Sequence, residues 1–183
     1  MIKLIATDID GTLVKDGTLI IDPEYMTVIS KLIDKGIIFT VCSGRQFSSE
    51  QKLFAPIKDK LMYITDGGTV VRTPDRILKT YPMSNELWKD MCRMVRDELP
   101  ACDYFAASPD LCYAEDGASP IFHRLRDSYG FEMREIDDLT KLENDDIIKF
   151  TVYHPDSCEE LCSPLYTCME RQSSCHFRRK RMG

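Results

Sequence analysis

Ile2-Lys3-Leu4-Ile5-Ala6-Thr7-Asp8-Ile9-Asp10-Gly11-Thr12-Leu13 opens the chain, and its reading decides the fold class. Ile2, Leu4 and Ile5 form a short apolar run with β-branched residues, the mark of a strand buried on both faces of a parallel sheet, and it ends at Asp8. Asp8 and Asp10 therefore stand at a strand's carboxyl end. Further along, Asp22 is suited to cap a helix with Pro23 at its first position, and Met26, Ile29, Leu32 and Ile33 follow at helical spacing until Gly36. Ile37 to Cys42 reads as a second strand ending at Ser43-Gly44-Arg45, a helix runs through Phe47 and Phe54, and Leu61 to Thr65 makes a third strand. This alternation predicts a right-handed parallel α/β sheet, whose ligands bind beyond the carboxyl ends of its strands. Asp8, Ser43 and Asp66 all fall at that edge.

The parallel alternation stops after Asp66-Gly67-Gly68. Thr69 to Val71 and Ile77 to Tyr81 flank a Thr73-Pro74-Asp75-Arg76 turn and suggest a hairpin. A helix from Ser84 carries Leu87, Met91, Met94 and Val95 on one face. Strands around Tyr104 and Tyr113, a helix opened by Ser119-Pro120, a short helix near Leu139 and a strand from Ile147 to Tyr153 complete a second unit. The expected division is residues 1–81 for the first unit, 82–162 for the second and 163–183 for a divergent or disordered tail, where the apolar pattern ends.

A net charge of -6 gives no long-range attraction to nucleic acid or an anionic membrane, and the basic cluster Arg178, Arg179, Lys180, Arg181 is confined to the end of the chain. The first apolar run is too short for a signal peptide, and no stretch is long enough to span a membrane, so a cytoplasmic protein is expected. Cys42, Cys92, Cys102 and Cys112 are scattered singly, as reduced core thiols are. Cys158, Cys162, Cys168 and Cys175 with His176 match none of the usual zinc spacings.

The chemistry concentrates in two strings. Asp8-Ile9-Asp10-Gly11-Thr12 puts two carboxylates at one strand end, where a bound Mg²⁺ relieves their repulsion and holds a phosphate against them. One can attack phosphorus while the other moves the proton, and an aspartyl-phosphate splits one difficult step into two. Gly11 permits a sharp backbone exit. Thr40-Val41-Cys42-Ser43-Gly44-Arg45 supplies a hydroxyl for a phosphoryl oxygen and a glycine that lets backbone N–H groups approach. A solvated turn at Asp8 and a plain helix cap at Ser43 are the bland alternatives, weakened because the strings occur together.

The two strings, their separation, the hairpin and the inserted second unit resemble the haloacid dehalogenase-like hydrolases, specifically the Cof-type sugar-phosphatase branch, over roughly residues 1 to 160. That resemblance implies an α/β fold with a parallel Rossmann-like core and an inserted α/β cap domain. It implies that Asp8 is the nucleophile and a Mg²⁺ ligand, that Asp10 is the general acid/base and offers its backbone carbonyl to the metal, and that Ser43 binds phosphate. Backbone at Ile9 and Gly44 would help cradle the phosphate, and Arg45 is a candidate substrate contact. The expected function is Mg²⁺-dependent hydrolysis of a small phosphorylated metabolite such as a sugar phosphate, with a phosphomutase as one alternative.

Three departures stand against this pattern. Asp66-Gly67 replaces the family's usual Asn-Gly and adds negative charge near the phosphate. The lysine that follows the cap and the downstream G-D-x-x-x-D stretch are not found; Lys149 lies inside a strand pattern and Asp145-Asp146 precede a strand, so neither substitutes for them. The expectation is a truncated or frame-shifted product: a catalytically impaired remnant of lowered stability, with activity near background and a sheet edge open to self-association.

Overall fold

The computed structural model describes residues 1–15, 18–143 and 146–154. β1 (Leu4–Thr7), β2 (Ile38–Cys42) and β3 (Met62–Thr65) lie side by side and parallel, with Thr7 level with Val41 and Cys42 level with Ile64. α1 (Pro23–Asp34) makes the crossover from β1 to β2. It begins where expected because the Asp22 carboxylate accepts from the Glu24 N–H at 2.8 Å and Pro23 has no N–H to leave unpaired. Gly36 ends it at a φ of +79°, a left-handed conformation that costs glycine little. α2 (Phe47–Leu53) follows β2, and β4 (Val70–Arg72) with β5 (Ile77–Thr80) extends the sheet antiparallel beyond β3. Ile9, Ile29, Phe39, Val41, Phe54 and Tyr63 form the core between the sheet and its helices.

One expectation fails here. The apolar run predicts a β1 buried on both faces, yet Leu4 is 54% exposed and Ile2 68%. Among the described residues β1 pairs with β2 alone and forms the sheet's edge, so apolar character does not translate into burial.

The second sheet has the order β8-β7-β6-β9, from β6 (Asp103–Ala107), β7 (Cys112–Ala114), β8 (Met133–Glu135) and β9 (Lys149–Tyr153). β8 carries no apolar run to announce it in the sequence; it exists because it pairs parallel with β7. α3 (Asn85–Glu98), capped by the Ser84 hydroxyl at 3.2 Å from the Leu87 N–H, lays Leu87, Met91 and Val95 against Cys102, Tyr104, Phe150 and Val152. The Leu87 face thus packs on the second sheet. On the opposite face, α4 (Pro120–His123) runs into a π-helical turn at Arg124–Ser128 and packs Phe122 with Phe105, Ala114 and Phe131. Val70 of the first sheet joins that cluster and links the two units.

No helix among the described residues is long and apolar enough to cross a membrane. Cys42, Cys92, Cys102 and Cys112 form no disulfide among the described residues. The Cys158 to His176 group, the basic cluster and the expected 163–183 tail lie outside the described residues.

Candidate active site

The loop after β1 is built around Ile9, which is fully buried and whose carbonyl accepts from the N–H groups of Thr12, Leu13 and Val14 at 3.1, 2.8 and 3.1 Å. Gly11 makes this tight exit possible at a φ of +76°. The loop turns Asp8 outward into solvent, where its Oδ1 accepts from the Ile9 N–H at 2.8 Å. A phosphoryl oxygen could therefore use the Ile9 N–H only by displacing Asp8 Oδ1.

Beside it, Ser43 continues the β2–β3 ladder through its N–H to the Ile64 carbonyl at 3.0 Å, and its Oγ accepts from the Arg45 N–H at 3.1 Å. The Ser43–Arg45 and Asp66–Gly68 loops are laced together: the Gly67 N–H donates to the Ser43 carbonyl and the Asp66 N–H to the Arg45 carbonyl, both at 2.9 Å. Asp8, Ser43 and Asp66 thus share one sheet edge, as expected from their places after three parallel strands.

Arg45, expected from the resemblance as a candidate substrate contact, is turned inward in the structure. Arg45 is 2% exposed. Its Nε and one terminal nitrogen grip both Asp10 oxygens at 2.8 and 2.6 Å, the same nitrogen donates to the Thr18 carbonyl at 2.8 Å, and the guanidinium lies 5.2 Å from the Tyr129 ring centre. A planar fork of fixed donors matches a carboxylate, so the guanidinium is committed to holding Asp10 and the flanking loop.

Two buried acids flank this edge. Asp66 has a φ of +53°, which Asp tolerates better than most residues, and its Oδ1 has no hydrogen-bond partner among the described residues. Burial pushes its carboxyl up to about 6, against the opposing pull of Lys149 and of the Thr65 hydroxyl 2.9 Å away. Glu50 on α2, which no sequence pattern singles out, is fully buried with neither carboxylate oxygen partnered among the described residues. Burial, with repulsion from Asp66 and Asp10, lifts it well above the usual carboxylate range despite Arg45.

The second unit reaches the same place. Lys149, the first residue of β9, donates from Nζ to the Gly44 carbonyl at 2.9 Å. The Gln46 side chain accepts from the Glu132 N–H at 2.7 Å and donates to the Glu132 carbonyl at 3.3 Å, as a strand neighbour would. Lys52 donates to the Gly130 carbonyl at 2.8 Å. A cavity of about 240 Å³ lies within the second unit, lined by Tyr104, Glu115 and Phe122 among others, and includes none of the Asp8 edge residues.

As metal ligands the edge offers the Asp8 carboxylate and the Asp10 main-chain carbonyl, because Arg45 occupies the Asp10 side chain. No cluster of three or more metal-ligating side chains occurs among the described residues. Two oxygens suit Mg²⁺ in kind, since it commonly keeps several waters and takes few protein ligands.

A loop anchored by the buried Ile9 after the first parallel strand, which presents one carboxylate and clamps a second, fits a haloacid dehalogenase-like hydrolase, and the chain belongs to that family, whose model matches residues 5–172. The match runs past residue 160, where the resemblance legible in the sequence stops. The chain is 26% identical over 147 residues to 5-amino-6-(5-phospho-D-ribitylamino)uracil phosphatase YbjI of Escherichia coli (strain K12), covering 78% of this chain and 52% of that one. A crystal structure from Eubacterium rectale superposes with a TM-score of 0.82 at 78% identity, over 93% of this chain and 64% of that chain. The fold also matches the HAD subclass IIB sugar phosphatase BT4131 with a TM-score of 0.68 at 17% identity, over 88% of this chain and 62% of that one. The chain thus spans about half the length of the curated relative, and the α/β fold expected from its first strand is the fold of the family.

Proposed function

We propose that this edge hydrolyses the phosphomonoester of a small metabolite through an aspartyl-phosphate on Asp8. The observation that carries the reading is the placement of an outward-facing Asp8 beside Ser43 on the adjoining parallel strand, with Asp10 clamped in the same loop. Asp8 attacks phosphorus as the ester P–O bond breaks, and Asp10, protonated on an oxygen that the Arg45 fork has released, gives that proton to the departing alkoxide. Asp10 then takes a proton from water, whose oxygen attacks the aspartyl-phosphate and releases inorganic phosphate and free Asp8. Ser43 Oγ and the Gly44 backbone hold the phosphoryl oxygens. The Asp8 carboxylate and the Asp10 carbonyl would hold Mg²⁺, which supplies charge neutralisation for the transferring group. YbjI is named for a phosphorylated ribitylaminouracil and BT4131 for sugar phosphates, which supports a small polyol- or sugar-like ester as the substrate class.

The test is hydrolysis of p-nitrophenyl phosphate by the 183-residue chain in excess Mg²⁺, alongside Asp8→Asn and Ser43→Ala. Slow release is expected, because the described residues offer the metal so few ligands, and Asp8→Asn should abolish it. Release that survives Asp8→Asn refutes the mechanism.

A further inference from the structure

Lys149 is a cation brought by the second unit to the phosphate edge of the first. It heads β9, whose register against β6 is fixed from Lys149 opposite Ala107 to Tyr153 opposite Asp103. The unit is held down by the Gln46 clamp on Glu132 and by Lys52 on Gly130, so the fold sets where the ammonium lies. The ammonium donates to the Gly44 carbonyl at 2.9 Å.

A carbonyl oxygen is a weak partner for a full positive charge. An ammonium has three donors, and Lys149 forms no ion pair with a carboxylate among the described residues. The other cations around the edge are already committed: Arg45 to Asp10, and Arg72 to Asp110 and to the face of Phe47. Asp8 and Asp66 meanwhile stand on this edge beside the paired Asp10, and their carboxylates oppose a dianionic phosphate unless a cation offsets it.

We propose that Lys149 is a substrate-binding residue whose ammonium turns from the Gly44 carbonyl onto the phosphoryl oxygens held by Ser43 and Gly44. This rests on the reading of Ser43 and Gly44 as the phosphate cradle. It gives the second unit a specific chemical role, that of closing a positive charge over the anionic end of the ester. The alternative is that Lys149 is a tether between the units, for which hydrogen bonding matters and charge does not.

The experiment titrates inorganic phosphate into the 183-residue chain in Mg²⁺ by calorimetry, for the parent, Lys149→Gln, Lys149→Arg and Ser43→Ala, at low and high salt. Circular dichroism establishes that each variant is folded. The expected result is a loss of about tenfold in affinity for Lys149→Gln at low salt, the worth of one charge-assisted hydrogen bond, which shrinks at high salt. Lys149→Arg should stay within about twofold, because the charge persists. Parental affinity in Lys149→Gln with weakened binding in Ser43→Ala overturns the assignment of Lys149 and leaves the cradle standing. Equal losses in Lys149→Gln and Lys149→Arg also overturn it, since restoring the charge then restores nothing. Binding unaffected by Ser43→Ala, or no binding by the parent, overturns the cradle and the assignment together.

Discussion

Replacing Asp66 with asparagine should stabilise the chain, and more so as the pH rises. Asp66 sits in a left-handed turn, almost fully buried, with one oxygen bonded to the Thr65 hydroxyl and the other unpartnered among the described residues. Burial is the main reason its carboxyl titrates at about 6 rather than 3.8. A group raised on folding contributes its full stability below its unfolded value and loses it as the pH climbs through the folded one. The shift is worth about 3 kcal/mol, of which about 2 kcal/mol is lost between pH 4 and pH 7. Asparagine keeps the shape, tolerates the positive φ and carries no charge to desolvate. Urea unfolding of the parent and Asp66→Asn at pH 4, 5, 6 and 7 should show the variant's advantage growing by about 2 kcal/mol across that range. An advantage that is flat with pH, or a variant that loses ground as the pH rises, would refute the assignment of a destabilising buried charge.

Arg45→Ala removes a buried fork that holds both Asp10 oxygens, so it should cost about 3 kcal/mol in urea unfolding. Arg45→Lys should recover only part of it, since a point charge cannot replace both hydrogen bonds. Gln46→Ala takes from the Glu132 N–H its 2.7 Å acceptor and leaves it the longer bond to Ser48 Oγ at 3.3 Å, and hydrogen exchange at the Glu132 amide should quicken by about tenfold.

The order of strands and helices through the first unit is legible in the sequence because its signals are local. Asp22-Pro23 caps α1, Gly36 ends it, and an apolar run ends at Asp8, each within a few residues of its cause. Asp8 and Ser43 share an edge because parallel strands present their carboxyl ends together, a consequence of topology that the alternation already implies. The tertiary structure decided the rest. Arg45 turns inward because Asp10, 35 residues away, takes its fork, and Lys149 meets Gly44 across 105 residues of chain. Glu50 looks like any helical glutamate until packing buries it, and β8 is a strand only because β7 lies beside it. The exposure of β1 belongs here as well, since an apolar strand is buried only by what lies beside it, and that neighbour is set by the assembled sheet rather than by the run of residues from Ile2 to Thr7.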